Sequence, residues 1–264
     1  MLVGSLPLAL RDVSVRHGET WALDQVTLEV AADERWLVLG ANGSGKTTLL
    51  RLAGGWAHPT SGTVEVLGER LGHVDVRQLR RRIGYLSSAL TDQLRPELRA
   101  LDVVRTARFA ALEPWWHRYG PDDDARSKDA LARMGVAQFA PRAFGSLSSG
   151  ERQRVLLART LVGEPAIVLL DEPGARLDLA GREELVAALD TVASDAEAPP
   201  LVLVTHHVEE IPPSLTHAAL LREGRILTAG PIDDVLVAET LSECFGLPLE
   251  LARRADGRFS AWRR

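Results

Sequence analysis

The sequence predicts an α/β protein with a mostly parallel core sheet, an antiparallel β part and an inserted helical subdomain. Three observations carry this prediction. Short apolar runs at 36–39, 166–170 and 201–204 alternate with helical stretches. They read as strands buried on both faces, which a parallel sheet covered by helices requires. Earlier, Val13-Ser14-Val15 and Val26-Thr27-Leu28-Glu29-Val30 alternate in the manner of half-buried antiparallel strands. From 94 to 144 the character changes: Leu101, Val104, Ala107 and Phe109 fall at helical spacing, followed by the aromatic knot Trp115-Trp116-His117-Arg118-Tyr119 and the acids 122–124.

Taken in order, Trp36-Leu37-Val38-Leu39 is a buried strand, and Gly40-Ala41-Asn42-Gly43-Ser44-Gly45-Lys46-Thr47-Thr48 follows it at once. Gly40 to Thr47 fits the phosphate-loop pattern G-x-x-x-x-G-K-[ST], and Thr47-Thr48-Leu49-Leu50 opens a helix. Lys46 is one of only two lysines, the other being Lys128, in a chain whose basic residues are otherwise arginine. A compact ammonium suits a phosphate cradle that a planar guanidinium is too wide for. Loop N–H groups and the helix start together make a polyphosphate site, so the chain binds a nucleoside triphosphate. Residues 61–68 read as a short strand closed by a turn, and Ile83-Gly84-Tyr85-Leu86 as another strand. Helices are expected over 151–162 and 181–192. The tail, 231–264, is less regular and ends basic, which reads as a solvated hairpin or helix. The division is one domain over 1–264, with core 1–90 and 150–230, helical subdomain from about 91–149, and C-terminal extension 231–264.

At 264 residues the chain can bury a substantial core. A formal net charge of -5 argues against a nucleic-acid-binding surface, and no nucleic-acid partner is expected. With Cys244 as the sole cysteine no intrachain disulfide is possible, which fits a reducing compartment. The apolar start lacks a basic leader, and no window approaches the ~20 apolar residues of a membrane span. Any membrane function therefore needs a separate polypeptide.

Two further motifs narrow the chemistry. Ile167 to Leu170 deliver Asp171-Glu172-Pro173 at a strand end. Asp171 there faces Thr47 across a site suited to hard Mg²⁺, and Glu172 is placed to act as general base toward water. The other is Leu147-Ser148-Ser149-Gly150-Glu151, followed by Arg152-Gln153-Arg154. Ser148 and Glu151 can form a capping box at a helix start, which is also an anion site.

On these residues the chain resembles the ATP-binding-cassette (ABC) ATPases, a phosphate-loop NTPase fold, over nearly its whole length. The segment 147–151 is similar to the family signature LSGGQ, with Ser149 and Glu151 as departures. The resemblance implies that Ser148, Ser149, Gly150 and Glu151 of one copy meet the γ-phosphate of ATP held by another. It implies that Thr205-His206 carries the switch histidine, with His206 on the γ-phosphate and attacking water. Asp178 corresponds to the loop communicating between the two sites, and His17 to the aromatic that stacks on adenine, with Trp21 as the alternative. The implied cofactors are ATP and Mg²⁺, the latter on Thr47 and Asp171.

One departure stands out: the family's lid glutamine should follow Tyr85-Leu86, where this chain has Ser87-Ser88, with Gln93 five residues late. That departure and the run 204–213 resemble the branch called molybdenum-transport ATPase or photorepair-like. The family implies an ATP-hydrolysing transporter subunit in the cytoplasm, peripheral at the inner face of the membrane. It would work as a homodimer or paired with a related subunit, with separate transmembrane subunits. Trp115, Trp116 and Tyr119 either line the docking surface or pack internally. The alternative function is a soluble ABC ATPase acting on a macromolecule in repair or translation. The single cassette and the lack of sustained heptads favour the transporter subunit.

Overall fold

The computed structural model describes residues 6–264, and for Ser88 and Ala89 the backbone alone. The apolar start over 1–5 lies outside the described residues. The chain opens with two long antiparallel strands, β1 (Leu8–His17) and β2 (Thr20–Val30), then β3 (Arg35–Leu39) and helix α1 (Lys46–Ala53). β4 (Ser61–Val66) and β5 (Glu69–Arg70) return to β1, giving an antiparallel sheet in the order β2-β1-β4-β5. After α2 (Val76–Arg80) comes β6 (Ile83–Ser87) and a helical stretch: α3 (Ser88–Gln93), α4 (Ala100–Arg105) and α5 (Pro121–Arg133). α6 (Ser149–Leu161), β7 (Ile167–Asp171), α7 (Leu179–Ala193) and β8 (Leu201–Thr205) return the chain to the core.

Two further strands, β9 (His217–Arg222) and β10 (Arg225–Pro231), complete a six-stranded sheet, β10-β9-β3-β8-β7-β6. Only β10 runs antiparallel to its neighbour, so the sheet is mostly parallel as expected. This last hairpin is one of the elements that sequence reading missed. Its two-residue turn, Glu223 and Gly224, has φ of 50° and 78°. That geometry is the one usually signalled by Asn-Gly or Asp-Gly, and glutamate hides it.

Alternation along the parallel strands divides the core in two. Leu37, Leu39, Val168, Leu170 and Leu203 face α6, α7 and the helical stretch. Trp36, Val38, Ile167, Leu169, Val202 and Val204 face α1 and the antiparallel sheet. Both sets are fully or almost fully buried, and burying a side chain of this size contributes about 1.5–3 kcal/mol relative to exposure. Both strand faces are therefore apolar, which is why these strands read as unbroken apolar runs.

The tail forms α8 (Ile232–Val235), α9 (Ala238–Phe245) and a hairpin of β11 (Leu249–Arg253) with β12 (Phe259–Arg263). It is not simply solvated. Arg258 is buried, paired with Glu183 of α7 and donating to the Glu209 carbonyl at 2.5 Å, and Phe259 is buried beside it. A basic residue that finds both a carboxylate and a carbonyl can leave water, which a count of arginines does not show. The aromatic knot also divides. Tyr119 packs edge-on to Phe109 with the Arg105 guanidinium 4.9 Å from its ring, whereas Trp115 and Trp116 are 57% and 85% exposed.

Candidate functional site

The site grows from one edge of the parallel sheet. Leu39 is in register with Thr205, Asp171 with Val204, and Ser87 with Asp171, so four strands end together. Loops leaving such an edge at a topological switch point are where α/β sheets bind ligands. Residues 40–48 leave from β3, Glu172 from β7 and His206 from β8.

The phosphate loop is shaped by close approach. Gly45 sits at φ 107° just before α1, and a Cβ there would strike the Ala22 carbonyl and the Leu23 side chain of β2. At Gly40 a Cβ would strike the Leu221 carbonyl of β9. The loop is thus wedged between two strands, and only glycine fits at either contact. Lys46 is 4% exposed, and its Nζ donates to the carbonyls of Gly40 at 2.8 Å and Ala41 at 2.9 Å, spanning the loop it closes. The Ser44 hydroxyl is buried in the loop and has no hydrogen-bond partner among the described residues. Asn42, Gly43 and Thr47 are exposed, while Ala41 and Thr48 are half-buried.

Carboxylates from β7 meet this loop. Thr47 Oγ1 donates to Asp171 Oδ1 at 3.1 Å. Burial pushes the Asp171 carboxyl above the usual carboxylate range, and the Thr47 hydrogen bond pulls it partly back. Burial likewise pushes the Lys46 ammonium down, with Glu172 and Asp171 opposing. Glu172 Oε1 lies 3.8 Å from Lys46 Nζ and 3.1 Å from His206 Nδ1. His206 also packs against His207, the two rings tilted by 39° with centroids 3.9 Å apart. Glu172 holds φ 48°, a left-handed conformation that costs a non-glycine residue about 1–3 kcal/mol. Such strain persists only where surrounding structure over-determines it.

A hydroxyl and a buried carboxylate 3.1 Å apart are two hard oxygen donors of the kind Mg²⁺ takes. The donor set fits the ion, and a bound cation would offset the penalty that burial places on the Asp171 carboxylate.

The remaining residues singled out from sequence lie around this cluster. Ser148 caps α6: its Oγ accepts from Glu151 N at 3.2 Å, and Glu151 Oε2 accepts from Ser148 N at 2.7 Å. Ser148 and Ser149 are exposed, whereas Gly150 is buried against Gly181 of α7, where a Cβ would lie 2.9 Å from the Gly181 Cα. Asp178 caps α7, accepting from Gly181 N at 2.8 Å. His17 and Trp21 are both exposed at the β1–β2 turn, with the Arg16 guanidinium 5.6 Å from the Trp21 ring.

Ser87 and Gln93 line one cavity of about 820 Å³ that also reaches Thr47 and Asp171. The Ser88 side chain lies outside the described residues. Sequence reasoning did not place three buried residues near the site: Gln153, Glu210 and Cys244. Cys244 donates to the Leu221 carbonyl, the same oxygen that backs Gly40, at 3.7 Å. Each is a single polar residue within an ordinary helical or loop stretch, so only the position of Gln153, just after the 147–151 segment, offered a signal.

A phosphate loop, a strand-borne acid pair and a capped helix on one α/β core define a cassette-type ATPase. The chain belongs to the ABC transporter family, whose model matches residues 23–175, and it is an ATP-binding, ATP-hydrolysing transporter subunit. It is 34% identical over 96% of both chains to an ABC transporter ATP-binding protein of Bacillus subtilis, YlmA. It is also 33% identical to the hemin import ATP-binding protein HmuV of Thermobifida fusca, over 94% of this chain and 85% of that one. Among solved structures, the dimeric post-hydrolysis state of the ATP-binding cassette MJ0796 bound to ADP and Pi superposes with TM-score 0.72 at 26% identity. That match covers 85% of this chain and 98% of the other. Among the described residues, no helix is long and apolar enough to cross a membrane.

Proposed function

We propose that two copies of this chain, or this chain and a related subunit, sandwich two ATP molecules and drive separate transmembrane subunits from the inner face of the membrane. The observation that carries this reading is the half-built site. Lys46, Thr47, Asp171, Glu172 and His206 converge, while the Ser148–Glu151 cap is presented on the exposed start of another helix. A second copy supplies what the first lacks. The dimeric cassette among its structural relatives and the import subunits among its sequence relatives support the arrangement.

In this reading the N–H groups of 40–48 and the Lys46 ammonium hold the β- and γ-phosphates. Mg²⁺ held by Thr47 and Asp171 would supply charge neutralisation at the phosphate oxygens. Glu172 accepts the proton of the attacking water at its carboxylate, and His206 holds the γ-phosphate side of that water. Ser148, Ser149, Gly150 and Glu151 close over the partner's γ-phosphate, and Asp178 stands between the two sites. His17 or Trp21 stacks on adenine. Gln93, the candidate to replace the lid glutamine, lines the same cavity as Thr47 and Asp171.

The cavity beside the metal ligands also suits a membrane partner. It is walled by Arg51, Arg80, Arg81, Arg159 and Trp56. Arg159 is buried there, and burial pulls its pKa down to about 10. Trp115 and Trp116 add exposed aromatic surface on the same helical subdomain. Purification from detergent-solubilised membranes tests the assignment: a co-purifying integral membrane protein is expected. Recovery of ribosomes or DNA with no membrane protein would overturn it in favour of a soluble macromolecule-acting ATPase.

A further inference from the structure

The turn Glu172-Pro173-Gly174 is gripped from two directions. From α6, the buried side chain of Gln153 donates through Nε2 to the Pro173 carbonyl at 2.6 Å. Gln153 lies one helical turn beyond Gly150, so this bond begins within the same α6 segment that Ser148 caps. From the segment that follows β8, the Glu210 carboxylate is 4% exposed and abuts the α-carbon of Gly174. A Cβ at that position would stand 2.5 Å from Glu210 Oε1. Glu210 is anchored to the residue before His206, accepting from Thr205 Oγ1 at 2.7 Å, and the same hydroxyl accepts from His207 N at 3.1 Å. Its other oxygen, Oε1, makes no hydrogen bond among the described residues and lies 3.7 Å from Arg182 Nε on α7. The Glu172 N–H closes the frame by donating to the Val204 carbonyl at 2.9 Å.

Packing alone does not call for these groups. A buried amide or carboxylate is costly unless bonded, and an apolar side chain of similar volume would fill either space. Both polar groups converge on the peptide units that follow Glu172, whose left-handed φ needs outside support. Well-packed interiors transmit small displacements rather than absorb them.

We propose that Gln153 and Glu210 are positioning residues of the ATPase reaction, tying the Glu172 turn to the 148–151 helix start and to the His206 segment. Closure of a partner's nucleotide on Ser148 and Gly150 then sets the carboxylate of the same chain's own site. The proposal rests on the roles given above to Glu172, Ser148 and Gly150.

The test measures steady-state ATPase rate, KM and fluorescent-ATP binding for Gln153→Met and Glu210→Ala, with Glu210→Gln as the conservative partner. Each of the first two is expected to lower kcat at least about 10-fold, with KM and nucleotide affinity within about 3-fold. Glu210→Gln, which keeps the bulk and an acceptor for Thr205, restores most of the rate. Single-turnover hydrolysis by Glu172→Gln and by Gln153→Met/Glu172→Gln then separates positioning from general damage. If Gln153 acts through Glu172, the double variant is within about 2-fold of Glu172→Gln alone.

A Gln153→Met enzyme within 2-fold of wild-type kcat overturns the proposal. So does a double variant slowed by the same factor that Gln153→Met imposes on the wild type. Should Gln153→Met melt early, the comparison is made below both melting temperatures, where the double-variant ratio still decides. If Glu172→Gln itself turns over normally, the role of Glu172 has failed, and that result is distinct from a normal Gln153→Met in a chain that needs Glu172.

Discussion

Replacing Glu172 with glutamine separates holding ATP from splitting it. The carboxylate is 3.8 Å from the Lys46 ammonium, an attraction of about 4 kcal/mol at an effective dielectric constant of about 20. Glutamine removes that attraction in the free protein. It also removes repulsion of similar size against an incoming γ-phosphate lying near the same carboxylate. The two changes oppose each other, so ATP affinity should stay within about tenfold, the equivalent of 1.4 kcal/mol. Hydrolysis has no such compensation, because the loss of a positioned base costs about 10²–10⁴ in rate. Phosphate release measured alongside fluorescent-ATP binding reads both quantities. Size exclusion with ATP at micromolar protein should show the variant accumulating as a dimer. Phosphate release within about threefold of wild type would refute the reasoning, as would loss of ATP binding together with activity. A variant that stays strictly monomeric with ATP would count against the sandwich.

Lys46→Ala is expected to abolish ATP binding while leaving the free protein folded. Its two hydrogen bonds to loop carbonyls are set against the cost of burying an ammonium, which already lowers its pKa; calorimetric titration and thermal melts check the two halves. A pH dependence follows from Asp171, whose carboxyl is raised by burial. A group with a raised folded pKa stabilises the free protein below its unfolded pKa, and that contribution is lost as pH rises through the folded value. Protons therefore compete with Mg²⁺ at this oxygen to higher pH than at an ordinary aspartate. The Mg²⁺-dependent part of the ATP-induced rise in Tm should shrink on acidification in the wild type and stay flat in Asp171→Asn. Parallel curves for the two proteins would count against Asp171 as a ligand.

Much of the architecture was legible because strands and loops here carry strong local signals. The parallel strands are apolar on both faces, and residues 40–48 announce themselves through glycines that β2 and β9 leave no room to replace. What stayed hidden depends on partners distant in sequence. Nothing local distinguishes Arg258 from the other tail arginines until Glu183 and the Glu209 carbonyl are seen beside it. The β9–β10 hairpin was missed because its turn spells Glu-Gly. Gln153 and Glu210 carry no local mark of burial, although both are buried against the turn after Glu172. The Ser87-Ser88 departure was visible at once, but which wall of the cavity Gln93 would reach required the folded chain.

The lone cysteine has a practical consequence. Cys244 is buried under β9, and burial pushes its thiol up to about 11. At neutral pH it is therefore both hidden and almost wholly protonated, and alkylating reagents need the thiolate. Labelling can proceed only when α9 lifts from the Leu221 carbonyl, the oxygen against which Gly40 rests. The chain thus carries its own stopwatch for breathing of the wall behind the phosphate loop, readable by mass spectrometry without adding a single foreign side chain.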